Sequence, residues 1–435
     1  MQSKIPVSKM ARGGVVGKAM LKIGVTHSKG MVKRAFMKKE NREESQRETH
    51  AEIAKVIIDS LGTLKGVSVK IAQQVALGLP FLPQEYLDEI SKSFNAIPPI
   101  NKALIRKIIK QELGDYPLNV FETFESDAFG AASLGQVHLA TKDNQKIAVK
   151  VQYPGIAKSI ASDLGVLKFA LSRFAKGQNI DHIMGEVEER LYEEVDYFIE
   201  AKNTEHFYKN LKHERIVIPQ VIEECSTKTV ISTTFLEGKS FKEFLASNPT
   251  QEQRNHYAQL IFDSFFIGLY HLQMIHADPN PGNFIFMEED KLGLIDFGCT
   301  KRLDDEFLSS FSKLHVSLMD KLPDEEIAVQ YAELSMIDKG EIEEMVTFYR
   351  EVIKPLDRIY IEIFEDDFYD FKENSDFSKR GFNTIMEVQK KQIHAVHKMN
   401  EEYIFVDRTL LGYYAMFEQM EAKIDTRFAQ KLVRY

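Results

Sequence analysis

Two short stretches hold residue types that can move a phosphoryl group. His276-Ala-Asp278-Pro-Asn-Pro-Gly-Asn283 sets a carboxylate five residues before a carboxamide, and Asp296-Phe-Gly298 follows. Phosphoryl transfer needs one carboxylate to orient or deprotonate the attacking group and hard oxygen ligands to hold Mg²⁺ on the phosphates. Asp278 suits the first task, and Asn283 with Asp296 suits the second. Each stretch alone has a bland reading, since Pro-Asn-Pro-Gly makes a good surface turn and a tripeptide recurs by chance. Together, with two short strand patterns between them, they point to a nucleotide site. Such a site also needs a lysine on a strand and a loop whose backbone N–H groups can approach phosphates. Ile147-Ala-Val-Lys150 ends a strand pattern in which alternation points the lysine off the apolar face. Upstream, Gly130-Ala131-Ala132-Ser133 is a small-residue loop entering a strand, stiffer than a glycine-rich one because alanine disfavours positive φ. Glu194, Asp196 and Glu200 lie on the helix expected to follow. Their apolar neighbours imply partial burial, and a buried carboxylate needs a partner, for which Lys150 is the obvious candidate.

The elements that must position these groups divide the 435 residues into four parts. Residues 1–39 carry ten Lys or Arg and no Asp or Glu, so a net charge of −9 leaves −19 on the remainder. Glycines weaken this arm as a helix, and residues 1–47 read as a basic flexible segment able to meet an anionic membrane surface. Residues 48–115 read as a helical extension, residues 116–238 as a small β-rich lobe, and residues 239–435 as a mainly helical lobe. Strands are expected over 137–141, 147–152 and 229–235, helices over 101–113, 156–176 and 182–211, and two small strands over 283–287 and 291–295. The acidic balance argues against nucleic acid as a partner. Two cysteines are too few for a disulfide scaffold. No uninterrupted apolar run reaches 18 residues, so no transmembrane segment is expected and any membrane contact is peripheral.

In order, Lys70-Ile-Ala-Gln73, Ser133-Leu-Gly-Gln-Val-His138, Lys150-Val-Gln-Tyr-Pro-Gly-Ile156, Glu194-Val-Asp196, Glu200-Ala-Lys-Asn203 and the two stretches above resemble the AarF/UbiB atypical kinase-like family. The resemblance covers nearly the whole chain and leans toward the coenzyme Q biosynthesis subgroup. It implies an α+β, bilobal protein-kinase-like fold with an N-terminal helical extension. It implies ATP and Mg²⁺ as cofactors, Lys150 on the phosphates paired with Glu200, and Asp278 as the catalytic-loop carboxylate. Asn283 and Asp296 become the metal ligands, and Gly130, Ala131, Ala132 and Ser133 the phosphate loop. Lys70 and Gln73 belong to a signature helix folded over the site against Glu194 and Asp196, a cover that obstructs a protein substrate. Three departures stand out: Ala72 replaces the signature glycine, Gly130 opens the alanine-rich loop, and Asn280 replaces a histidine.

The function so implied is an ATPase or small-molecule phosphotransferase supporting isoprenoid quinone or lipid metabolism, with a quinone precursor or lipid as partner. Its location would be cytoplasmic, peripheral on the inner membrane face. The rival from another class is a nucleotide-sensing pseudokinase scaffold, disfavoured because a scaffold has no need of the full phosphoryl-transfer set. Conventional protein kinase activity is disfavoured further, since no Ala-Pro-Glu follows Gly298.

Overall fold

The acid-free run Lys9–Ala35 folds as one helix, α1, where its glycines had pointed to a flexible arm. Packing overrides propensity here. Ala19, Ile23 and Gly30 are buried on one face, α1 packs on α3 (Ile156–Leu171), and a methyl added at Gly30 would collide with Thr49. The computed structural model describes residues 9–35, 37, 45, 49, 52, 56, 100–132, 134–171, 180–391 and 400–434. The signature stretch with Lys70 and Gln73, and the extension's expected helices between 57 and 99, lie outside the described residues. So does Ser133.

The chain forms two compact units, one of residues 1–199 and 222–234, the other of 200–221 and 235–435. In the first, β1 (Thr123–Phe124), β2 (Gly130–Ala131), β3 (Gly135–Lys142) and β4 (Gln145–Gln152) join a later strand in an antiparallel sheet. Its order is β1-β3-β4 and then Val230–Thr234, with β2 alongside β3. Asp143 and Asn144 both take positive φ, so the β3–β4 hairpin closes on a two-residue turn whose twist matches the strands. Alternation buries Ile147, Val149 and Val151 against Ile105, Ile108 and Ile109 of α2 (Lys102–Leu113). Asn101 caps that helix and Gly114, at φ 88°, ends it.

The expected helix 182–211 is two helices, α4 (Ile180–Glu194) and α5 (Tyr197–Asn210). Asp196 makes the break, because its carboxylate accepts the Phe198 N–H at 3.1 Å and caps the start of α5. The Val195 carbonyl is occupied as well, accepting from the Gln152 side chain of β4 at 2.9 Å. Glu194, Asp196 and Glu200 therefore occupy a helix end, a cap and a first turn, not one helix.

The second unit is mainly helical. Its small sheet pairs β5 (Ile216–Val217) in parallel with β9 (Leu292–Leu294), and β9 pairs with β8 (Phe284–Phe286) across the Glu289-Asp290 turn, with Val230–Thr234 counted as β6. Separately, β7 (Met274–His276) pairs with β10 (Thr300–Arg302). The aromatic core is built on α6 (Gln251–Ile267), opened by a Thr250/Gln253 capping box, together with α7 (Asp305–Met319) and α8 (Glu401–Gln419). No described helix is long and apolar enough to cross a membrane.

Candidate active site

In the first unit, β2 and β3 bend into the small-residue loop. Gly130 faces Val137, Ala131 faces Gln136, and the Ala132 N–H donates to the Gly135 carbonyl at 3.0 Å. Gly135 is required there, since a Cβ would lie 2.4 Å from the Val151 carbonyl oxygen. Gly130 has no such constraint: its Cβ would meet nothing within 4 Å, so this departure from alanine is sterically free. Lys150 stands opposite Val137 on one side and Ile231 on the other. Its Nζ lies 5.2 Å from the centre of the Tyr197 ring, inside cation–π range. Asp196, beyond capping α5, pairs with Lys228 at 2.9 Å.

In the second unit, His276 buries its ring and donates from Nε2 to the Ile295 and Asp296 carbonyls, at 3.2 and 3.0 Å. The Asn283 Nδ2 donates to the Asp278 carbonyl at 3.2 Å, and the Ile295 N–H donates to the Asn283 carbonyl at 3.0 Å. These bonds lock the two stretches to each other. Asn280 has a structural use, its side chain accepting the Gly282 N–H at 2.9 Å and closing the turn between Asp278 and Asn283. Asp296 takes φ 62°, a left-handed conformation sparse for a residue with a Cβ, and its Oδ1 accepts the Gly298 N–H at 3.4 Å. From α5, Asn203 donates to the Phe297 carbonyl at 3.1 Å and Phe207 packs on Phe297 at 4.8 Å. The buried Glu200 carboxylate sits against Gly298, 3.5 Å from where a Cβ would stand.

Asp278, Asn283, Asp296 and Glu200 are thus gathered in the second unit, while the loop, Lys150, Glu194 and Asp196 belong to the first. Among the described residues, no three His, Cys, Asp or Glu side chains form a metal cluster. The amide and carboxylate pair offers oxygen donors, which fit Mg²⁺ with phosphate and water completing the shell. The bond from Asn283 Nδ2 to Asp278 leaves its oxygen as the end for a cation.

Supports without a sequence signal are also present. The Tyr413 hydroxyl of α8 donates to the His276 carbonyl at 3.0 Å, and burial, reinforced by the nearby Asp278 carboxylate, pushes its pKa far up. Gly412 makes room for Pro279, whose Cγ would lie 2.4 Å from an added Cβ. Asn203 and Gly135 stand inside recognisable motifs, but their partners appear only in the fold.

A β-rich sheet unit and a helical unit, with these two locked stretches, define a protein-kinase-like α+β fold. The Rv3197–erythromycin complex structure from Mycobacterium tuberculosis superposes with TM-score 0.62 at 22% identity, over 90% of this chain and 97% of that one. Residues 92–331 match the ABC1 atypical kinase-like domain, and the chain belongs to that family, the AarF/UbiB proteins. Relatives include probable serine/threonine-protein kinase abkA of Dictyostelium discoideum, 31% identical over 60% of this chain and 49% of that protein. Activity of BC1 complex kinase 7, chloroplastic, of Arabidopsis thaliana is 30% identical over 68% and 45%. Atypical kinase COQ8, mitochondrial, of Saccharomyces cerevisiae is 28% identical over 65% and 58%. The chain spans about half the length of the curated relatives it matches.

Proposed function

We propose that this protein is an ATP-dependent atypical kinase-like enzyme, an ATPase or small-molecule phosphotransferase, that supports isoprenoid quinone or lipid metabolism. The observation that carries the reading is the locked pair of stretches, in which the His276 and Asn283 side chains bond to the backbone at Ile295, Asp296 and Asp278 and so fix Asp278, Asn283 and Asp296 together. Asp278 orients the attacking hydroxyl or water and takes its proton. Asn283 and Asp296 would hold Mg²⁺, whose charge would offset that developing on the phosphates. Gly130, Ala131, Ala132 and Ser133 cradle phosphate oxygens, and Lys150 contacts them with Glu200 as its partner. Lys70 and Gln73 cover the site against Glu194 and Asp196. A small acceptor is favoured by the segment after Gly298. Only residues 299–304 separate it from α7, and they are held by the β7–β10 pairing and a Lys301–Glu402 ion pair at 3.4 Å. Little chain remains to seat a peptide.

The test is ATP turnover by purified protein with phenolic quinone-precursor mimics, beside Asp278→Asn. Wild type should turn over ATP and the variant should lose at least about 100-fold, the scale of a positioned general base. No turnover above background by wild type would leave the pseudokinase scaffold, and equal rates above background would take Asp278 out of the reaction. Lys70→Ala should release phosphorylation of an added generic protein, and an unchanged blank there would remove the covering role.

Membrane contact through α1 completes the proposal. Leu21, Val25 and Val32 are 72, 53 and 60% exposed along a stripe beside exposed Lys18, Lys22, Lys29 and Lys33, opposite the buried Ala19, Ile23 and Gly30. Apolar insertion with lysines at anionic headgroups suits peripheral attachment. Anionic vesicles should sediment the full chain at low salt and release it as salt rises, since exposed charges are screened over about 10 Å at 0.1 M. A chain starting at Glu40 that sediments equally well would eliminate α1 as the anchor.

A further inference from the structure

Gln136 and His138 are buried polar residues on a strand whose neighbours Val149 and Val151 are fully buried. Polar groups in such a place need partners, and here both ring nitrogens of His138 and both side-chain polar atoms of Gln136 have one. His138 Nδ1 lies 2.8 Å from the Glu125 carbonyl, which only accepts, so the ring proton is on Nδ1. Nε2 is then an acceptor, and the Gln136 amide donates to it at 2.9 Å. The Gln136 oxygen in turn accepts the Ile100 N–H at 2.8 Å. Burial holds the imidazole below its usual pKa and so keeps it neutral, the form this chain of bonds requires. Phe124 stacks on the ring at 5.1 Å and fixes its plane.

The ends of this strap matter. Glu125 precedes the outgoing strand of the small-residue loop, and Gln136 pairs with Ala131 on the return strand. Between Gln136 and His138, Val137 stands directly opposite Lys150. The strap therefore pins both stems of the loop and the strand register beside Lys150. It also ties them to Ile100, just ahead of α2. We propose that Gln136 and His138 are positioning residues that hold the small-residue loop in register and couple it to the chain entering α2 at Ile100. The consequence for nucleotide affinity rests on the reading of that loop as the phosphate cradle.

Hydrogen exchange and Mg²⁺-ATP titration of the full-length protein test this. In Gln136→Met, which keeps bulk and removes both hydrogen bonds, exchange at Ile100 and across residues 130–135 should rise together. The Kd for Mg²⁺-ATP should increase about tenfold. Gln136→Glu keeps the acceptor for Ile100 and lets His138 take a second proton, so both ring nitrogens donate and the strap re-forms. Its exchange and affinity should return toward wild type. Should Gln136→Met fail to fold, His138→Asn serves instead, since its amide nitrogen can reach the Glu125 carbonyl while the bond to Gln136 is lost. A lower melting temperature with loop exchange and Kd unchanged would overturn the proposal. Wild type that binds no nucleotide would refute the phosphate-cradle reading alone, because exchange at residues 130–135 still decides whether the strap holds the loop.

Discussion

Asp296→Asn should lose the metal-dependent part of the stabilisation that Mg²⁺-ATP gives the wild-type protein in a thermal-shift titration. A ligand bound only to the native state stabilises it by about 2.7 kcal/mol at a hundredfold excess over Kd. The left-handed Asp296 turns back on its own Gly298 N–H, and His276 and Asn203 hold the flanking carbonyls, so the amide should occupy the carboxylate's place. The substitution thus removes a charge and a hard ligand with little change of shape. Nucleotide without metal should still bind weakly through the small-residue loop and Lys150. Lys150→Ala should give the complementary result, weakening binding with or without Mg²⁺, since it removes a phosphate contact and leaves the metal ligands in place. Equal Mg²⁺-ATP stabilisation in wild type and both variants would remove the site from this part of the molecule.

The parts of this architecture that were legible in the sequence are those fixed by local rules. Asp143-Asn144 announces its hairpin because Asp and Asn are among the few residue types that accept two successive positive φ values, whereas Glu289 before Asp290 takes positive φ without such a preference. The turn between Asp278 and Asn283 is legible because Pro-Asn-Pro-Gly favours one, and Asn280 closes it on the Gly282 N–H. The break at Asp196 was hidden, since helical periodicity runs through it. What stops the helix is a cap together with a carbonyl claimed by Gln152, 43 residues earlier in the chain. Helix α1 was misread for a related reason. Five glycines count against a helix in isolation, and only burial of Ala19, Ile23 and Gly30 reverses the balance. The Tyr413 bond to His276 spans 137 residues and has no local trace at all.

That blindness to long-range burial applies most strongly to Asp357, and it leads to a large pH effect. Asp357, on the helix Lys354–Ile361, is 4% exposed and accepts a short hydrogen bond from the Tyr331 hydroxyl, which stands 3.0 Å from that of Tyr403. Burial pushes its carboxyl up to about 7, although hydrogen bonds from Tyr331 and Tyr349 and the charge of Lys354 pull the other way. Asp407 of α8, also raised by burial and by the Asp357 charge, makes ionising both still harder. The unfolded carboxyl titrates near 3.9, so the native state holds the proton more tightly. The associated stability is fully present below about pH 4 and is lost as pH rises toward 7, by about 4 kcal/mol over roughly three units. His315, which burial pushes down to about 4, acts oppositely between pH 4 and 6.5. The wild-type profile therefore mixes two slopes, and the difference from Asp357→Asn isolates one. Asparagine keeps the volume and an acceptor for Tyr331 but has no carboxyl proton to lose. It should melt below wild type at pH 5, where the protonated acid is the better partner, and gain on wild type steadily to pH 7.5. Melting curves that stay parallel over that range would mean that Asp357 is already ionised in the fold, with Tyr331, Tyr349 and Lys354 sufficient to hold the charge.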